Sequence, residues 1–100
     1  MVIDTFDNYK SRKIVQEYCR KNGIEVIHIG FSDSLTFSIE FGNNYAPPNN
    51  TPVRDICTIS GASSFVHMVS AIGSSVVQEY LTTGKQREFT GGRLSLREIL

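Results

Sequence analysis

The sequence has no excess of charge of either sign and no long apolar run. Ten lysine and arginine residues balance ten aspartate and glutamate residues, so the formal net charge is zero. A strongly basic surface is therefore not expected, and nucleic acid is not a predicted partner. No segment approaches the roughly 18 uninterrupted apolar residues of a transmembrane helix, and no membrane association is predicted. Asp4 precedes any apolar region of a secretion signal, which predicts a cytoplasmic protein.

The chain also lacks the residues that many metal and phosphate sites need. Its two cysteines, Cys19 and Cys57, do not belong to a Cys-x-x-Cys pair, and a zinc site would lack ligands. No Gly-x-Gly-x-x-Gly motif follows a predicted strand, and no Gly-x-x-x-x-Gly-Lys-Ser/Thr motif occurs. The sequence therefore predicts no bound zinc and contains no glycine-rich loop for nucleotide phosphates.

The amino-terminal third of the chain predicts a strand, a helix and a second strand. Residues 2–6 form a short run that is apolar and β-branched except at Asp4, and two helix-capping residue types, Asp7 and Asn8, follow it. Residues 9–21 have helical spacing. Their apolar stripe consists of Ile14, Val15, Tyr18 and Cys19. Residues 24–31 carry apolar side chains on both faces, which predicts a βαβ unit with a parallel strand pair.

The remaining residues predict a third strand, a long helix and a hairpin in one domain. Residues 35–41 alternate between apolar and polar side chains, which indicates a strand that is antiparallel or at a sheet edge. Residues 42–52 contain Asn and Pro pairs typical of a loop. Residues 63–85 have the wide apolar face of a long helix. Residues 87–100 predict a short hairpin that turns at Gly91-Gly92. One hundred residues suffice for one α/β domain only.

Three polar residues near the start of the first helix are candidates for ligand binding. Asp7 lies where the first strand ends, and ligands of open α/β sheets bind at the carboxyl ends of strands. A carboxylate there can hold a magnesium ion that bridges nucleotide phosphates. The alternative is that Asp7 or Asn8 caps the helix. Arg12, one turn further on, can reach a phosphate, pair with Asp4 or Asp7, or remain solvated.

The segment around these residues resembles a known motif. Residues 2–12, with Asp7-Asn8 and Arg12, look like the Asp-Asn-x-x-x-Arg stretch of the ThiF, MoeB and HesA family of ubiquitin-activating-enzyme-like adenylyltransferases. The predicted order of helix, two strands, crossover loop and long helix is similar to the carboxyl-terminal half of that family's domain. The resemblance implies a partial Rossmann-like sheet, in which a βαβ unit is joined by a further strand, the long helix and the short carboxyl-terminal hairpin.

The resemblance also implies a role for each of the three residues. Asp7 would ligate the magnesium ion of bound ATP, and Asn8 and Arg12 would support the nucleotide edge of the pocket. The family's glycine-rich loop lies upstream of the matching region. ATP and magnesium would therefore be bound together with a complementing amino-terminal half or in an oligomer.

Cys57 is the candidate nucleophile, because it lies just before the long helix, whose amino terminus can lower a thiol pKa. The pair Cys57-Thr58 resembles the crossover-loop element in which ubiquitin-activating enzymes carry their thioester cysteine, without the flanking prolines of that element. The alternative is a small buried residue that packs at the helix start. Cys19, on the apolar stripe of the first helix, is a predicted core residue.

Both histidines are predicted to be structural. His28 lies in the second strand, and His67 follows Ser63 by four residues in the long helix, a spacing at which their side chains can meet. A histidine that activates a serine needs a third group to orient it, and the sequence offers no acidic partner for this pair.

Three functional hypotheses follow. In the first, the chain is a partial adenylyltransferase that contributes the metal and nucleotide edge of an ATP site for activating a carboxylate, with a ubiquitin-like protein as the implied substrate. In the second, it is a non-catalytic interaction module or fragment of that fold, whose open strand edge and long apolar helix form a homodimer. In the third, Cys57 makes the chain a cysteine-dependent carrier.

Overall fold

The computed structural model describes residues 1–42 and 58–100. Most of the predicted loop, residues 43–52, and the candidate nucleophile Cys57 lie outside the described residues. Neither helix in the described part of the chain is long and apolar enough to cross a membrane. The elements in chain order are β1 (Val2–Asp4), α1 (Tyr9–Lys21), β2 (Val26–Phe31), β3 (Thr36–Phe41), α2 (Ala62–Thr83), β4 (Glu88–Gly92) and β5 (Ser95–Ile99).

The five strands form one mixed sheet in the order β1-β2-β3-β4-β5. β1 and β2 are parallel, and each later neighbour is antiparallel. The α/β fold, the βαβ unit and the carboxyl-terminal hairpin are thereby confirmed, and the arrangement is compatible with part of a Rossmann-like sheet. The third strand is antiparallel, as one of the two alternatives predicted, but it is the central strand and not an edge.

Helix α2 covers one face of the sheet and forms the main core with it. Cross-strand partners point to the same face, and the pairs from β2 and β3 place apolar side chains towards α2. Phe65 of α2 packs its ring against Phe31 and Phe37, with centroid distances of 5.9 and 6.1 Å. The buried side chains of this core are Ile27, Leu35, Phe37, Ile39, Phe41, Ala62, Phe65, Val69 and Val76.

Helix α1 lies against the opposite face, over β1 and β2, and its orientation corrects one prediction. The buried residues of the helix are Arg12 and Cys19. Cys19 is therefore a core residue as predicted, but Ile14 and Tyr18 are 58% and 61% exposed. The predicted apolar stripe was wrong for these two residues because an arginine, not an aliphatic side chain, occupies the centre of the buried side.

The hairpin of β4 and β5 turns at Arg93 and Leu94 and not at Gly91-Gly92, which belong to β4. A side chain at Gly91 would place its Cβ 2.1 Å from the carbonyl oxygen of Ser95 and 2.9 Å from Cε1 of Phe37. The glycine is therefore required by close contact between strands. This long-range requirement gives no local signal that would distinguish it from a turn glycine.

Candidate functional site

A buried charged cluster lies between the sheet and α1, and the parallel register of β1 and β2 creates its first contact. Asp4 ends β1 and pairs with His28 of β2, so both side chains point to the α1 face. Nδ1 of His28 lies 2.5 Å from Oδ2 of Asp4. The exposed fractions are 1% for Asp4 and 0% for His28. An acid and an imidazole are therefore in direct contact beneath the helix.

Arg12 of α1 completes the cluster. Its Nη1 lies 3.4 Å from Oδ2 of Asp4, and its Nη2 donates to the backbone oxygen of Ile29 at 2.9 Å. The guanidinium passes directly over β2 at Gly30, where an added Cβ would lie 2.7 Å from Nη2. Because one side chain bonds to both β1 and β2, Arg12 joins the helix to the parallel strand pair.

The Asp4 carboxylate is held in its ionised form. Burial alone raises the pKa of Asp4, but the hydrogen bond from His28, the bond from the Phe6 amide and the positive charge of Arg12 together lower it below its usual value. The Phe6 amide donates to Oδ1 at 2.9 Å. Since an ionised carboxylate can only accept hydrogen bonds, Nδ1 of His28 must carry the hydrogen in this contact.

Two further carboxylates extend the charged row across the same face. Glu40 of β3 is the cross-strand neighbour of His28 in the antiparallel register of β2 and β3. Burial, followed by the negative charge of Glu88, raises the pKa of Glu40, and His28 acts in the opposite direction. Glu88 of β4 accepts a hydrogen bond from the Phe41 amide at 2.8 Å. The two carboxylates on either side of His28 therefore respond differently to pH, since the pKa of Asp4 is lowered and that of Glu40 is raised.

These opposite shifts predict the pH dependence of folding. Stability contributed by Asp4 is present above its unfolded-state pKa of about 4 and is lost as the pH falls through its lower folded-state value. The raised pKa of Glu40 has the opposite effect on stability. The stability that Glu40 contributes at low pH is lost as the pH rises through that pKa. Urea unfolding at constant ionic strength is expected to show maximal stability on the mildly acidic side and a steep loss in stronger acid.

The Glu40→Gln variant tests whether Glu40 causes the loss of stability towards neutral pH. The variant is expected to lose less stability between mildly acidic and neutral pH. Its loss of stability in strong acid should be unchanged, because that loss comes from Asp4. An unchanged decline in Glu40→Gln would contradict the role given to Glu40.

The cluster is suited to anchoring α1 on the sheet and not to catalysis on a bound substrate. An aspartate that orients a histidine occurs in hydrolytic triads, but there the imidazole must reach a nucleophile and a substrate. His28 and Asp4 are enclosed by the sheet and α1 and present no surface to a substrate. Among residues 1–42 and 58–100, no group of three His, Cys, Asp or Glu residues is suited to hold a metal ion.

The three motif residues lie at the start of α1 and differ in their surroundings. Asn8 is the helix cap: its side-chain oxygen accepts a hydrogen bond from the Ser11 amide at 2.8 Å. Asp7 is exposed, and its Oδ1 accepts a bond from the Asn8 side chain at 3.4 Å. Arg12 is 5% exposed and bonds to Asp4, the structural partner that the sequence allowed. Of the two charged side chains among the three, Asp7 faces solvent and Arg12 is buried.

The second histidine forms a local helix contact. Nδ1 of His67 donates to the backbone oxygen of Ser63 at 2.8 Å. The predicted spacing therefore brings the ring to the backbone of Ser63, which offers no nucleophile.

The Asp4 and His28 contact was missed by the sequence reasoning, although both residues were visible as polar side chains in or beside apolar strands. The sequence offers Arg12 as a partner for Asp4 and no partner for His28. Their contact depends on the register of two parallel strands, which neither strand specifies locally.

An exposed apolar region surrounds β1, on the side of α1 away from β3. Gln16 donates to the backbone oxygen of Gly42 at 3.0 Å, so that flank of α1 points towards the end of β3. Tyr18 and Ile14 lie on the other side of the helix, by helical geometry. Together with residues at and beside β1, they form what we term the β1-edge surface: Met1, Ile3, Phe6, Ile14 and Tyr18, which are 43% to 61% exposed.

The backbone of β1 is open on the same side. β1 has β2 as its neighbour on one side and, within the described residues, no strand on the other. The Val2 amide donates to the Glu25 oxygen on the β2 side, at 2.9 Å. Because backbone groups of successive strand residues point to opposite sides, the N–H and C=O of Ile3 point to the outer edge.

A scan of the chain against protein-family models gives no match, and a search of curated proteins finds no relative. The resemblance to ThiF-type adenylyltransferases rests on the motif of Asp7, Asn8 and Arg12 and on the order of the elements.

Proposed function

We propose that the chain is an interaction module that binds a protein partner along the outer edge of β1. The observation that carries the proposal is the β1-edge surface, five apolar side chains each about half exposed beside a strand edge that no described strand covers. Exposed apolar side chains grouped around one strand edge are typical of binding sites in soluble proteins.

Strand addition is the mode of binding that the edge supports. A partner strand would bond to the outward N–H and C=O of Ile3, and main-chain bonds of this kind supply affinity with little sequence selectivity. Selectivity would come from apolar contacts on both sides of the new strand, with Ile3 on the α2 face and Tyr18 on the helix flank. Apolar burial contributes about 25 cal/mol per Å².

Site-specific photo-cross-linking tests this proposal with the full chain. A photoreactive amino acid in place of Tyr18, in cells that express the protein, is expected to give a covalent adduct with a protein. Leu81 is the matched control, because it is also a helix residue and is 67% exposed, but it lies on α2. Equal adduct formation from both positions, or none from position 18, would contradict the proposal.

A second candidate function is the metal and nucleotide edge of an adenylyltransferase site that a complementing half or an oligomer would complete. Its support is the exposed carboxylate of Asp7 beyond the carboxyl end of β1, the side of a parallel pair where nucleotides bind in open α/β sheets. Asp7 fits a magnesium ligand, whereas Asn8 and Arg12 direct polar groups to the helix cap and to Asp4. The fit to ATP and magnesium is therefore partial.

Calorimetric titration of magnesium-ATP into the full chain tests the second candidate. If an oligomer of the chain completes the site, binding is expected for the unchanged chain and should disappear in Asp7→Asn, which keeps the shape of the side chain and removes its charge. Equal heats from both proteins would contradict a metal-binding role for Asp7. The ubiquitin-like substrate, the thiol chemistry of Cys57, the absence of zinc and the cytoplasmic location stay predictions.

A further inference from the structure

We infer that the partner at the β1 edge is a second copy of this chain, bound so that two β1 strands pair antiparallel about a two-fold axis and join two sheets into one. The inference rests on the proposed function, because it names the occupant of the same edge. Most soluble homo-oligomers are two-fold dimers in which one surface patch contacts itself.

The backbone specifies the register of this pairing. Ile3 is the middle residue of β1, and its N–H and C=O point to the outer edge. An antiparallel pair centred on Ile3 is therefore a hydrogen-bonded pair, in which each Ile3 donates to and accepts from the other. The two Ile3 side chains, each 50% exposed, would then lie opposite one another on the α2 face and cover each other.

The position of α1 fits the same arrangement. Arg12 bonds to Asp4 of β1 and to the backbone of β2, so the helix lies over these two strands. In a continuous sheet, two such helices would be separated by two strand spacings, about 10 Å in all. Packed helices have interaxial distances of about 8 to 10 Å. The two copies of α1 would therefore meet side by side, through the flank that carries Tyr18.

The available area and charge are consistent with a dimer. With roughly 200 Å² for an aromatic side chain, Phe6 and Tyr18 together expose about 200 Å², and the half-exposed Met1, Ile3 and Ile14 add to it. Backbone and neighbouring polar atoms add to this value, and a standard interface buries about 800 Å² per partner. The net charge of zero means that two copies do not repel each other through net charge.

Two substitutions test the two parts of this interface separately. Ile3→Pro removes the outward N–H and leaves the Val2 amide bond to β2 in place, and proline is tolerated on an edge strand. Tyr18→Glu introduces a charge between the helices. Leu81→Glu is the control on an equally exposed helix position of α2.

The measurement is the solution mass of the full chain by sedimentation equilibrium over a range of concentrations. The unchanged chain and Leu81→Glu are expected to have twice the monomer mass of 11.2 kDa. Ile3→Pro and Tyr18→Glu are each expected to weaken dimerisation by about tenfold or more, the scale of a central contact. Hydrogen exchange should show the Ile3 amide protected in the dimer and unprotected in Tyr18→Glu, whose remaining sheet amides confirm that the variant is folded.

A chain that stays monomeric at its highest soluble concentration, or a dimer that both substitutions leave intact, would overturn the inference. The cross-linking experiment separates this failure from failure of the proposed function. An adduct between position 18 and a different protein, with a monomeric purified chain, would retain the edge as a binding site and exclude the second copy. The absence of any adduct would overturn both.

Discussion

Replacing Asp4 with alanine is expected to lower the free energy of unfolding by about 3 to 5 kcal/mol, the usual cost of breaking a buried ion pair from one side. The substitution leaves the Arg12 guanidinium without its carboxylate at a position that is 5% exposed. It also removes the acceptor for Nδ1 of His28 and for the Phe6 amide. Urea unfolding at neutral pH measures the loss.

Asp7→Ala is the matched control for this prediction. Asp7 has the same side chain, lies three positions later and is exposed, so its replacement is expected to change stability by no more than about 0.5 kcal/mol. Similar losses in Asp4→Ala and Asp7→Ala would show that burial and ion pairing do not determine the contribution of Asp4. Failure of Asp4→Ala to fold would agree with the upper end of the expected loss.

The ion pair and the exposed surface have a common structural origin. A helix that packs on a sheet normally turns its most apolar side inwards. In α1, the inward side carries Arg12 because Asp4 and the Ile29 carbonyl provide partners for its guanidinium beneath the helix. This rotation turns Ile14 and Tyr18 outwards. The cluster of Asp4, Arg12 and His28 therefore determines which side of α1 is available to a partner.

Local patterns predicted the elements well, because each pattern is a property of a few adjacent residues. The bounds of α1 are those expected from its polar and apolar spacing, and the alternation in residues 35–41 identified β3. The polar residues of the same alternation, Ser38 and Glu40, lie on the α1 face and are half-buried, so the alternation distinguishes the two faces of the sheet although the strand is central.

Features that depend on distant residues were not predictable in the same way. The contact of Asp4 with His28 requires the register of two strands separated by a helix, and the buried position of Arg12 requires that contact. The role of Gly91 depends on Ser95 and Phe37 on neighbouring strands. A single sequence gives no direct information on such pairs, and a charged residue such as Arg12 is normally assigned to the surface.

The other face of the sheet depends on apolar packing, and Phe65→Ala is expected to lower the free energy of unfolding by about 3 to 5 kcal/mol. Phe65 is 3% exposed and its ring meets Phe31 edge-on and Phe37 at a tilt. The loss combines the transfer of the ring with the cavity left between α2 and the sheet. A domain of this size has a total stability of about 5 to 15 kcal/mol, so the variant would lose a large part of the free energy of unfolding.

Two further variants show whether the cavity is the cause. Phe65→Leu fills most of the space and is expected to lose less than half as much as Phe65→Ala. Leu81→Ala removes an apolar side chain from the same helix at a position that is 67% exposed, and it should cost no more than about 0.5 kcal/mol. Equal losses in Phe65→Ala and Leu81→Ala in urea unfolding would mean that helix propensity, and not contact with Phe31 and Phe37, determines the effect. A large loss confined to position 65 would instead show that α2 and the sheet share one closely packed core, independent of the ion pair on the α1 face.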